Sequence, residues 1–206
     1  MLQICNLAFG YPGHPVITGL SAGIPPGVTF VRGGDGRGKT TLLQLLAGNL
    51  RPGAGDLLVN GISLKDAPAA YRAQVFCVDP RSTDFDQLTV TEFFESQRAA
   101  FPAFDFGQLP HLVEGLDLGL HVHKKLYMLS TGSKRKVFLA AAFASGAVLT
   151  LMDMPFAAVD KTSSGFIVAL LQRASDAAGN SSRAFVFADY EAPDGLSLAN
   201  LIDLGD

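Results

Sequence analysis

The sequence predicts an α/β fold in which a mostly parallel sheet is joined to an antiparallel β part and interrupted by an inserted helical segment. Three observations carry that prediction. Apolar runs that are continuous rather than alternating (VTFV at 28–31, AVLTLM at 147–152, AFVFA at 184–188 and LIDLG at 201–205) suit strands covered on both faces, as in a parallel sheet. The first of those runs feeds a glycine-rich loop and then, after Lys39, the helical periodicity of TTLLQLLAGNL. Between about Leu88 and Ala144 the pattern turns helical, with Glu, Gln, Ala and Leu at helix spacings.

In chain order, LQICNLAF and VTFV read as short β runs separated by turn signals at Pro12-Gly13 and Pro25-Pro26-Gly27. The helix after Lys39 stops before Pro52-Gly53, and GDLLVNGI at 55–62 carries a second hairpin-like pattern. The segment Val137–Met152 is apolar enough to resemble a membrane span, but Ser145-Gly146 breaks it and it falls short of the roughly 20 residues a span needs. It reads as a buried helix running into a buried strand. A chain of 206 residues is long enough for one substantial domain and short for two. The expected organisation is one domain of two lobes: a core at about 1–80 and 147–206, and a helical subdomain at about 81–146.

Composition excludes some functions. A net charge of −3 and scattered basic residues, apart from Lys134-Arg135-Lys136, give no footprint for nucleic-acid binding. The N-terminus lacks the basic start and apolar stretch of a signal peptide. Cys5 and Cys77 stand far apart without metal-ligand spacing and read as reduced, buried thiols of a cytosolic protein. Nearly half of the residues are hydrophobic, which either a docking surface or a compact Ala- and Leu-rich domain would explain.

The strand–loop–helix at 28–50 contains GGDGRGKT, Gly33 to Thr40, which fits the phosphate-loop pattern in the context that pattern requires. Glycines let successive backbone N–H groups turn inward onto phosphates, and the following helix adds its N-terminal dipole. Lys39 is placed to reach the β and γ phosphates, and the Thr40 hydroxyl to ligate Mg²⁺. Arg37 in the loop and Arg32 before it add charge; Arg32 either strengthens triphosphate binding or points to solvent.

Four motifs in order make the chain resemble the ATP-binding cassette (ABC) family of transporter ATP-binding subunits over essentially its whole length. GGDGRGKTTLLQLLAGNLRPGAGDLLVNG is similar to the family's opening, and LTVTEFFE at Leu88–Glu95 to the start of its helical subdomain. LSTGSKRKVFLAAAFA from Leu129 resembles the signature and its helix, and LMDMPFAAVD at Leu151–Asp160 resembles the Walker B strand end and D-loop. The resemblance implies a RecA-like P-loop core with an inserted helical subdomain, binding ATP through Gly33, Gly34, Asp35, Gly36, Arg37, Gly38, Lys39, Thr40 and Thr41. It implies Mg²⁺ at Thr40 and Asp153, and adenine stacked on Tyr11. It implies that Ser130, Thr131, Gly132 and Ser133 face the ATP of an opposite subunit, with Thr131 and Ser133 replacing the family's usual glycine and glutamine. The stretch FDFGQL…KKLYMLSTGSKRK most resembles subunits of exporter-type systems.

The same resemblance exposes departures. The family's catalytic glutamate follows the Walker B aspartate, where this chain has Met154, and a thioether can neither accept a proton nor orient water there. The switch histidine is assigned to Ala188, and the Q-loop glutamine to Asp79, within VFCVDP. Asp160 is assigned to the D-loop. Asp189, one residue out of register, is expected to point away from the site. What these imply is a chain that holds Mg-ATP but hydrolyses it weakly. Its expected partners are a second ABC ATPase subunit, more readily a different one than a copy of itself, and separate membrane subunits on the cytoplasmic face. The alternatives are an ATP-gated regulatory module without turnover and a homodimeric ATPase with an unorthodox base.

Overall fold

The structure, a computed structural model, describes residues 1–77, 79 and 81–205. It contains two sheets. The smaller is antiparallel, in the order β2-β1-β4-β5, from β1 (Leu2–Tyr11), β2 (His14–Ile24), β4 (Ala54–Val59) and β5 (Ile62–Ser63). The larger is wholly parallel, in the order β6-β7-β8-β3-β9, from β3 (Gly27–Arg32), β6 (Val75–Cys77), β7 (Leu149–Asp153), β8 (Ala184–Ala188) and β9 (Asn200–Asp203).

Alternation of side chains along a strand explains why the central runs must be apolar throughout. On β8, Ala184, Val186 and Ala188 enter one hydrophobic cluster, while Phe185 and Phe187 enter the other. On β3, Val31 joins the first and Val28 and Phe30 the second. The first cluster lies between the two sheets, around α1 (Lys39–Leu46), whose Leu42, Leu43, Leu45 and Leu46 are all buried. The second lies on the opposite face of the parallel sheet and is filled by the helical part of the chain.

That part comprises α3 (Val90–Ala100), α4 (Leu109–Gly115) and α5 (Thr131–Ala144), with α6 (Lys161–Asp176) following β7; a short α2 (Pro68–Arg72) precedes β6. A capping box starts α3: Thr89 Oγ1 accepts the Glu92 amide, and the Thr89 amide donates to Glu92 Oε2 at 2.7 Å. The apolar stretch Val137–Met152 is the buried end of α5 running into β7, broken where Gly146 takes φ 66°. Among the described residues no helix is long and apolar enough to cross a membrane.

One expectation about the cysteines needs correction. Both thiols are free, but Cys5 is exposed, because the outward positions of β1 face solvent. Cys77 is partly buried, and burial first, then the charges of Asp153 and Asp79, push its thiol up to about 12.

Candidate nucleotide site

The site lies where the parallel strands end. β3 leads into the loop at 33–38 and the loop into α1, so the loop's position is fixed by a buried strand and a buried helix. Lys39 Nζ donates to the carbonyls of Gly33 at 2.6 Å and Gly34 at 2.9 Å, which folds the loop around the ammonium. Gly36 and Gly38 hold φ 73° and 92°, conformations that open the loop's backbone N–H groups at little steric cost. A side chain at Gly38 would press on Val16 of β2, so the β1–β2 hairpin packs directly on the loop. Tyr11, at the end of that hairpin, is exposed on one face with Phe9 edge-on at 5.1 Å. An accessible ring so braced suits stacking on a base. Asp35, Gly36 and Arg37 form the exposed rim, and Gly34 and Thr41 are half-buried. The Arg32 guanidinium, just before the loop, is ion-paired with Asp203.

Thr40 and Asp153, far apart in sequence, meet at the loop's base, where Thr40 Oγ1 donates to Asp153 Oδ2 at 2.8 Å. A hydroxyl and a carboxylate oxygen side by side are the hard donors that Mg²⁺ takes from a protein when phosphates supply the rest. The donor set therefore fits the ion. Arg81 approaches the same carboxylate, with Nη2 3.8 Å from Asp153 Oδ2, while its Nε lies 3.5 Å from Asp79 Oδ1. Asp79 is thus engaged by Arg81, whose amide also donates to Asp79 Oδ1 at 2.8 Å. Its neighbours Val78 and Pro80, in the expected Q-loop stretch, lie outside the described residues.

Met154 follows Asp153 with φ 48°, and its amide donates to the Ala188 carbonyl at 2.8 Å. Ala188, assigned from sequence to the switch-histidine position, does not face the site. Its side chain is fully buried in the core around α1. The residues that leave the sheet toward the site are the next two. Asp189, expected to point away, is half-buried in electrostatic reach of Asp153 and Arg135. Burial pushes its carboxyl above the ordinary range; the Tyr190 amide bond opposes that shift and the charge of Asp153 adds to it. Tyr190 places its ring 4.9 Å from the Lys39 ammonium and donates its hydroxyl to Asp35 Oδ1 at 2.9 Å.

The signature segment is arranged by the chain's own packing. Ser130 caps α5, accepting the Ser133 amide at 3.1 Å, and its hydroxyl donates to Ser133 Oγ at 3.0 Å. Ser130 and Thr131 remain exposed, open to another molecule. Gly132 sits flush against the segment after β7, where a Cβ would collide with the Ala158 carbonyl oxygen. Arg135 hydrogen-bonds the Ala157 carbonyl, and burial holds its guanidinium below the usual range. Asp160 caps α6 through the Ser163 amide at 2.9 Å and meets Lys136 Nζ at 3.2 Å. Hydrogen bonds from Ser163, then Lys136, hold its carboxyl well below the ordinary range.

Sequence reasoning missed Arg81, Arg135, Asp189 and Tyr190 as members of this site. Asp189 and Tyr190 carried no sequence signal; the parallel pairing of β8 with β3 sets residues just after β8 beside the loop just after β3.

Comparison with known proteins agrees with this fold. The family model described as "ABC transporter" matches residues 17–157. The chain is 32% identical over 180 residues to the cytochrome c biogenesis ATP-binding export protein CcmA of Legionella pneumophila (strain Lens), covering 84% of this chain and 86% of that one. It is also 32% identical over 163 residues to the taurine import ATP-binding protein TauB of Pseudomonas fluorescens (strain Pf0-1), covering 78% and 61%. Among solved structures, a dimeric ATP-binding cassette in a post-hydrolysis state with bound ADP and Pi superposes with a TM-score of 0.75 at 19% identity, covering 93% and 88%.

Proposed function

This chain belongs to the family of ABC transporter ATP-binding subunits, and we propose that within it the chain binds Mg-ATP firmly but hydrolyses it slowly at its own phosphate loop. The observation that carries the reading is a contrast within a few residues. Thr40 and Asp153 are brought to 2.8 Å as a cation would need, while the next residue, Met154, offers only a thioether. Binding parts are kept; the water-orienting part is absent. A positioned general base typically contributes about 10²–10⁴-fold, and its loss predicts a slow site rather than a dead one.

In this reading Lys39 and the loop amides bind the β and γ phosphates, and Tyr11 stacks the base. Mg²⁺, when bound at Thr40 and Asp153, would neutralise charge on the phosphate oxygens. Asp189 and Arg135 lie within electrostatic reach of Asp153.

ABC ATPases dimerise and work with membrane subunits. The finer proposal is a head-to-tail pairing with a different, complete ATPase subunit, on the cytoplasmic face of a membrane. The exposed signature at Ser130 and Thr131 would then complete the partner's site. Similarity to one export and one import subunit at equal identity favours neither direction of transport. Calorimetric titration of the isolated chain with Mg-ATP tests the binding half. Saturable binding is expected, with Lys39→Ala removing most of it because a charge-assisted contact to the phosphates is lost. Wild-type affinity in Lys39→Ala would show that the phosphate loop has been misassigned.

A further inference from the structure

Tyr190 has no place in any motif, yet it makes two contacts with the phosphate loop. An ammonium carries three N–H donors. Two of those on Lys39 go to the carbonyls of Gly33 and Gly34, and the Tyr190 ring stands 4.9 Å from the nitrogen. At the rim, the Tyr190 hydroxyl donates to Asp35 Oδ1 at 2.9 Å. The ring therefore spans the loop from the first residue of α1 to Asp35, four positions earlier. Topology makes this possible, because β8 and β3 are adjacent parallel strands whose ends open side by side. Tyr190 is itself about half exposed at 53%, so its ring stands at the surface with solvent to turn into.

We propose that Tyr190 is a gate residue of the nucleotide site, whose ring and hydroxyl occupy Lys39 and Asp35 until the phosphates displace them. The inference rests on the phosphate-loop reading above. A phosphate oxygen and an aromatic face compete for the same ammonium, and the anion wins only after the cation–π contact and the bond to Asp35 are broken. Each is a modest interaction, together opposing binding by about three- to tenfold. The direction of the effect separates this role from a supporting one: removing a brace weakens binding, whereas removing a competitor strengthens it.

The test is calorimetric titration of the full chain and its Tyr190→Ala and Tyr190→Phe variants with Mg-ATP and, separately, with inorganic pyrophosphate. Tyr190→Ala should bind both about three- to tenfold more tightly. Tyr190→Phe keeps the ring but loses the bond to Asp35, and should fall between Ala and wild type. Pyrophosphate has no base, so an equal gain for it locates the effect at the phosphates. Unchanged or weaker affinity in Tyr190→Ala, or a gain confined to ATP, would overturn the proposal. Lys39→Ala in the same series keeps the two failures apart. If it alone loses binding, the loop is right and Tyr190 is a bystander; if it binds as wild type, the loop assignment itself is wrong.

Discussion

In the proposed reading, Met154 and Asp189 stand where a nucleotide-hydrolysing site would manage water, and each is legible to a different degree. Met154 could be read from sequence because it directly follows Asp153 at the end of an apolar run. Asp189 could not, because a strand changes face at every residue and its end is uncertain by one. Shifting the assignment from Ala188 to Asp189 exchanges a core position for a site position. The distinction changes what repair requires. A histidine at 188 would be driven into the core around α1, at about 1–3 kcal/mol for overpacking. A histidine at 189 would stand beside Asp153 instead. Met154→Glu with Asp189→His should therefore raise the isolated chain's phosphate-release rate, while Met154→Glu with Ala188→His should lower its melting temperature and gain no activity. Recovery short of a complete ATPase is expected, since such geometry must hold within about half an ångström. Equal rates from the two double variants would show that neither position faces the nucleotide.

Among the elements, the central strands were the plainest in sequence: continuous runs such as AFVFA suit strands with two covered faces, and β8 is buried at every residue. The antiparallel sheet was less plain. Cys5 lies on the open face of β1, next to a bulge where Asn6 takes φ 47°, and a lone cysteine carries no signal of which face it takes. The start of α3 is a local device that sequence does announce, with Thr89 followed three residues later by Glu92. Both reciprocal bonds of that box are formed. Thr89→Ala should cost about 0.5–2 kcal/mol, read as a lowered midpoint of denaturant unfolding. A midpoint unchanged by that substitution would mean the helix is held by the packing of Phe93 and Phe94 alone. Gly132 teaches the converse. Its small size reads as an approach to an opposite nucleotide, yet its own chain already requires it, because the Ala158 carbonyl fills the space a Cβ would take.

At the scale of the whole molecule, the parallel sheet is a wall with α1 and the antiparallel sheet on one side and the helical part on the other. The loop at 33–38 opens at one end of β3, whereas Ser130 caps a helix packed on the sheet's opposite face. That separation suits a chain whose signature serves a nucleotide other than its own, and Ser130→Asp tests it cleanly. Aspartate is as good an N-cap as serine, so α5 should keep its stability. A negative charge facing a γ-phosphate should nevertheless abolish turnover by a complex with a complete partner ATPase while leaving Mg-ATP binding by the isolated chain intact. Loss of the isolated chain's own binding would place the signature in cis and contradict the pairing. The most direct test of retained binding with impaired chemistry is phosphate release from the isolated chain at saturating Mg-ATP, with occupancy confirmed on the same sample. Full occupancy is expected, with a rate about 10²–10⁴-fold below that of a complete site. A steady rate of about 1 s⁻¹ or more, the ordinary range for enzymes, would contradict it.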